Sequence, residues 1–179
     1  MTDQTTLLAG IVIPSQSPIF LAVVALHILV ALASVTTGII AMLSPKRFGR
    51  HPRFGTIYYW CLSVVFLSAT VLAAMRWAES YHLFVLGVCS FAAASLGRMA
   101  RRRDWHNWVR LQITGMGTSY VLLLIAFYVD NGKNLPLWRD LPPTTYWLLP
   151  VALGVPLIAR ALLQHPLVRR PPVLRRDVS

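Results

Sequence analysis

Charged residues divide the chain into five long apolar blocks. No Asp, Glu, Lys or Arg occurs between Asp3 and Lys46, nor within residues 54–75, 80–97, 111–129 or 141–159. At 1.5 Å per residue, each block is long enough to cross about 30 Å of hydrocarbon as an α-helix. Pro14 and Pro18 mark where the first helix begins. Pro142, Pro143, Pro150 and Pro156 delay the fifth to near Thr144 and kink it. The predicted spans are 18–43, 55–76, 80–97, 110–130 and 144–163, within a membrane domain over residues 18–164. Residues 1–17 form a short external segment and residues 165–179 a basic cytoplasmic tail. The expected fold class is all-α, a polytopic membrane protein with five transmembrane helices, of which the first four form a bundle. Residues 1–17 contain no Lys or Arg, so the positive n-region of a signal peptide is missing and the first helix reads as a retained span.

Composition sharpens this picture. Of the 179 residues, 56% are hydrophobic and 13% charged, and the mean hydropathy is +0.58. A disordered chain is excluded, and a soluble globule of this size could not hide so much apolar surface. The net charge of +11 would suggest a nucleic-acid partner if the basic residues were clustered on a soluble face. They alternate by loop instead. Lys46, Arg47, Arg50 and Arg53 lie between spans one and two. Arg98, Arg101, Arg102, Arg103 and Arg110 lie between three and four, and Arg160, Arg169, Arg170, Arg175 and Arg176 follow span five. Only Arg76, Lys133 and Arg139 lie on the other side. The positive-inside rule therefore puts the N-terminus outside and the C-terminus in the cytoplasm of a bacterial inner membrane. The expected partners are anionic headgroups at the cytoplasmic face, and a membrane protein or a second copy of the chain, but not nucleic acid.

The histidines suggest an internal repeat. His27 to His82 and His51 to His106 are each 55 positions apart. His27 and His82 fall on spans one and three, which run in the same direction. His51 and His106 sit in the basic loops before spans two and four. On the first span, His27 is continued by Ala31, Ser34 and Gly38. On the third, His82 is continued by Leu86, Cys89 and Ala93. Both stripes turn small toward the cytoplasm, as close helix approach requires. The reading is two repeated helical hairpins, with the fifth helix as an addition.

An ionisable group inside the bilayer is a functional hypothesis by default. His27 and His82 are at similar heights in the outer half, roughly 28 Å and 24 Å from the inner boundary. His51 and His106 lie at that boundary. A pair of imidazoles toward each face suits a protein that carries haem b across a membrane, each ring donating a neutral nitrogen to the iron. Arg110, one turn after His106, could reach a haem propionate, a headgroup or a quinone oxygen. The plain structural alternatives stand beside this. His27 could bond a carbonyl or a Ser/Thr of a neighbouring helix. His82, after Tyr81, and His106, between Trp105 and Trp108, could be interfacial residues. His51 precedes Pro52 at an ordinary helix start.

Other chemistry is less well supplied. Asp104, His106 and His51 make a conceivable metal set, but the surrounding positive charge repels a cation. The serines of the spans show no spacing that singles out a nucleophile and read as packing residues. Gly115 and Ser119 form a small-xxx-small pair that reads as a helix seam, with Gln112 on the same face. Cys61 and Cys89 read as packed thiols. No Gly-rich phosphate loop, CxxC, CxxCH or HExxH occurs.

His27, Arg50-His51 with Gly55 and Tyr58, and the cluster His106, Trp108 and Arg110 resemble a family of small bacterial multi-pass membrane proteins of unknown function. The resemblance covers roughly residues 20–130 and implies a four-helix unit akin to b-type cytochromes. The family pattern has Trp three and Arg six residues after the second loop histidine, where this chain has them two and four after. Pro52 stands where the pattern has Arg. The functional expectation is an electron-transfer component that binds haem b through His27 and His82, and through His51 and His106. The alternatives are a non-enzymatic accessory or scaffold protein with structural histidines, and a small transporter or sensor.

Overall fold

A computed structural model describes residues 5–8, 11–14, 18–45, 49–136, 138–165 and 168. Five helices follow one another: α1 (Pro18–Leu43), α2 (Arg50–Met75), α3 (Trp77–Arg102), α4 (Trp108–Asn131) and α5 (Thr144–Gln164). All five are long and apolar enough to cross a membrane. Before them, β1 (Thr5–Leu8) and β2 (Ile11–Pro14) pair antiparallel, with Thr5 opposite Pro14 and Leu8 opposite Ile11. The expected external segment of residues 1–17 therefore contains a small hairpin, which the sequence reading did not anticipate. Most of the basic tail over residues 165–179 lies outside the described residues.

The spans match the apolar blocks, with ends that run further into charged sequence. α2 begins at Arg50 rather than residue 55. Its first turn needs no internal N–H partners, so Pro52 is tolerated there and Arg50 and Arg53 can project to water. α3 runs from Trp77 to Arg102, where residues 80–97 were expected, because long arginine side chains let a helix continue through the interface. Asp104 then takes a positive φ of 45°. The Trp105 N–H reaches back to the Ala100 carbonyl at 3.1 Å, a Schellman-like end to the helix. α2 and α3 are separated by Arg76 alone. Its guanidinium lies 5.1 Å from the Phe20 ring of α1 and pairs with Glu79 at 3.5 Å. Pro150 and Pro156 lie inside α5.

Consecutive helices pack side by side, α1 on α2, α2 on α3, α3 on α4 and α4 on α5, and α4 also touches α1. Helices α1–α4 thus close a four-membered bundle, and α5 lies outside it against α4. The core joins Tyr58, Leu62 and Val65 of α2, Ala94 of α3, and Tyr120 and Leu123 of α4. Large apolar side chains also face outward, among them Leu29, Leu67 and Leu163, each more than 60% exposed. In a helix bundle of this hydropathy that surface belongs against lipid tails.

Small residues set the closest seams. A Cβ on Gly115 would sit 2.5 Å from the Ala93 carbonyl oxygen and 3.0 Å from Gly97 Cα. The backbones of α3 and α4 therefore touch, as the Gly115–Ser119 spacing suggests. The stripe that α3 buries is Leu86, Ser90, Ala94, Gly97 and Ala100. This corrects the expected stripe through Cys89 and Ala93. From His82 the buried face advances by four to Leu86, Ser90 and Ala94 and only then by three to Gly97 and Ala100, so Cys89 is turned out and exposed. Cys89 is consequently not a packed thiol.

Candidate functional site: a polar layer in the bundle

The basic end of the bundle holds the end of α1, the start of α2, the end of α3 and the start of α4. Toward the other end, the polar side chains of these helices include His27 of α1, Ser68 of α2, His82 of α3 and Asp130 of α4. His27 and Ser68 are joined at 2.8 Å between Nδ1 and Oγ. Asp130 interacts electrostatically with both His27 and His82. His82 also meets Tyr81 edge-on, ring centroids 5.6 Å apart. Asp130 stands at the end of α4, where the sequence shows only the boundary of an apolar span.

Ser68 Oγ also lies 2.9 and 3.0 Å from the carbonyls of Val64 and Val65. With its one proton directed at either carbonyl, Ser68 accepts from His27 Nδ1, and Nε2 then holds the ring's lone pair. His51 obeys the same logic. Its Nδ1 lies 2.7 Å from the Ala41 carbonyl, an acceptor only, so the proton is on Nδ1 and the lone pair on Nε2. That bond also ties the start of α2 to the end of α1. A metal-binding imidazole has this disposition, with one nitrogen fixed by a protein acceptor and the other presented. The expected alternative for His27, a bond to a serine of the neighbouring helix, is what the structure contains, and the Val65 backbone also hydrogen-bonds the imidazole.

The inner pair is less assembled. His106 lies in the turn between α3 and α4 and is exposed, as is Arg110. Among the described residues no hydrogen bond joins His106 to His51. Nor do three or more His, Cys, Asp or Glu side chains gather as a metal-binding group among these residues.

Between the two levels the core is threaded by hydroxyls. Ser119 Oγ donates to the Met116 carbonyl at 2.8 Å, so Tyr58 is the donor in its 2.8 Å bond with Ser119. Ser90 donates to the Ser119 carbonyl at 2.8 Å, and Tyr120 to the Val35 carbonyl at 3.2 Å. These bonds tie α1, α2, α3 and α4 across the bundle, so the serines are packing residues as their sequence setting suggests. Ser34, about two turns below His27 and fully buried, has no hydrogen-bond partner for its hydroxyl among the described residues.

The chain matches no protein-family model, no curated protein and no solved structure.

Proposed function

We propose that this multi-pass membrane protein lies in the bacterial inner membrane with its N-terminus outside, and binds haem b non-covalently as an electron-transfer component. His27 and His82 are the proposed axial pair. The observation that carries the reading is the His27–Ser68 bond, which holds the ring at Nδ1, with Asp130 in electrostatic interaction with both His27 and His82. Haem iron takes two neutral imidazole nitrogens along its axis. The bundle's part is to hold the rings, exclude water and set the local charge, for which Asp130 is placed beside both histidines. His51, with its Nδ1 tied in the same way, and His106 make the proposed second pair, with Arg110 available to a propionate. The 55-residue spacing of the two pairs is part of the same proposal, as two hairpins of common origin.

The test is a visible absorption spectrum of the detergent-purified protein from haem-replete cells, oxidised and then reduced with dithionite. A sharp reduced b-type band is expected. It should be lost in His27→Ala and in His82→Ala and kept in His165→Ala. A folded, monodisperse protein without colour refutes the reading.

Asp130 favours a second reading. A carboxylate that interacts electrostatically with two imidazoles also suits proton or cation handling, as in a small transporter or sensor. That protein would be colourless, and Asp130→Asn would abolish its pH-dependent response.

A further inference from the structure

A second polar feature lies at the basic end of the bundle, on the other side of the core from the histidine layer. Pro52 and Thr56 on the first turns of α2, and Arg98, Arg101 and Arg102 on the last turns of α3, line an open cleft of about 260 Å³. We propose that this cleft is a binding site for a phosphate-bearing anion, and it stands independently of the haem reading.

Three guanidinium groups within about one helical turn repel one another, and Arg98 and Arg102 are the unfavourable i, i+4 pair. Nothing nearby offsets this. Among the described residues, the ion pairs are Arg76–Glu79 and Arg139–Asp140, both at the opposite end of the bundle. Asp104, the nearest acid in sequence, is exposed and pairs with none of the three. Arg98 is also held in place. Its guanidinium lies 4.6 Å from the Tyr59 ring. Tyr59 is in turn bonded to Ser95 at 3.3 Å and stacked on Phe91. A fixed guanidinium gives up little freedom when it forms paired hydrogen bonds to a phosphate. The start of α2 adds the positive end of a helix dipole and the Thr56 hydroxyl. The cleft is smaller than the roughly 300–1,000 Å³ of most small-molecule sites, which suits a headgroup-sized anion.

Two sources can supply such a group, an anionic lipid at the membrane surface or a soluble phosphate. The full chain is purified in detergent. Phosphatidylglycerol or phosphatidylcholine is titrated and followed by native mass spectrometry, and inorganic phosphate is titrated and followed by thermal melting. Wild type is expected to retain phosphatidylglycerol over phosphatidylcholine, and Arg98→Gln/Arg102→Gln should weaken that binding about tenfold or more. Arg103→Gln/Arg160→Gln removes the same charge from the same end outside the cleft and should bind as wild type does. Arg98→Lys keeps the charge and guards against a folding artefact. It should weaken binding, because an ammonium lacks the planar fork. Protection by inorganic phosphate without lipid selectivity, lost in the same double variant, assigns the site to a soluble anion. Equal loss of binding in both double variants, or no binding of either anion, overturns the proposal.

Discussion

Replacing Gly115 with alanine should loosen the seam between α3 and α4. The new Cβ would lie 2.5 Å from the Ala93 carbonyl oxygen, against an ordinary contact of at least 3.4 Å. The atoms in the way are backbone, so no side chain can swing aside, and the two helices must part by about 0.9 Å. A gap of that size forfeits about a quarter to a half of each dispersion contact, of ~0.1–0.2 kcal/mol, along the seam. Over on the order of twenty such contacts this amounts to about 1 kcal/mol. The Ser90–Ser119 bond, now 2.8 Å, would be stretched beyond useful length, a further ~1 kcal/mol. Alanine's better helix propensity offsets about 1 kcal/mol of the total. Gly55→Ala supplies the control, since its Cβ would have nothing within 4 Å and it gains the same propensity. The difference between the two variants isolates packing at about 2 kcal/mol. In a chain of this size that is a gap of about 4–8 °C in thermal melting in detergent, with Gly115→Ala the less stable. Melting temperatures within about 1 °C of each other would refute the close-contact argument.

Tyr58→Phe removes the hydroxyl that donates to Ser119 across the bundle, and should destabilise by about 0.5–1.5 kcal/mol in the same melting assay. Ser68→Ala leaves His27 Nδ1–H without its acceptor. On the haem reading, it should lower haem retention by about 10–100-fold in a titration of the apoprotein, with the band position kept. Asp130→Asn removes a negative charge beside both histidines, which would favour the oxidised, more positive iron. Its reduction midpoint should therefore rise in a potentiometric titration.

The five helices could be read from sequence because lipid imposes a one-dimensional rule, that a span must be apolar for its whole length. The Gly115–Ser119 seam was visible for a related reason, since small residues four apart have few other uses in a membrane helix. What depends on the turn angle of a helix was less visible. Steps of three and four both keep a residue near one face, and the choice between them placed Cys89 on the wrong side of α3. Asp130 was passed over because charge marks the limits of an apolar block, so an acid at the limit looks like punctuation. Its electrostatic interaction with His27 and His82 joins three helices and leaves no trace in spacing. The β1–β2 hairpin is not legible although Ile11, Val12 and Ile13 carry strand-forming side chains, because they lie in the same uncharged run as the first span.

The single residue between α2 and α3 bears on how the protein is made. With only Arg76 at the join, there is no slack for α2 to settle across the bilayer while α3 waits outside it. With the N-terminus outside, as proposed, the two helices leave the insertion machinery as a closed hairpin, about fifty residues entering together with the Arg76 guanidinium leading. α1 is already synthesised by then, and its Phe20 ring is there to receive that charge. Lengthening the join with a flexible insert would uncouple the two insertions, so this turn should tolerate tags and extra residues less well than the loop before α5.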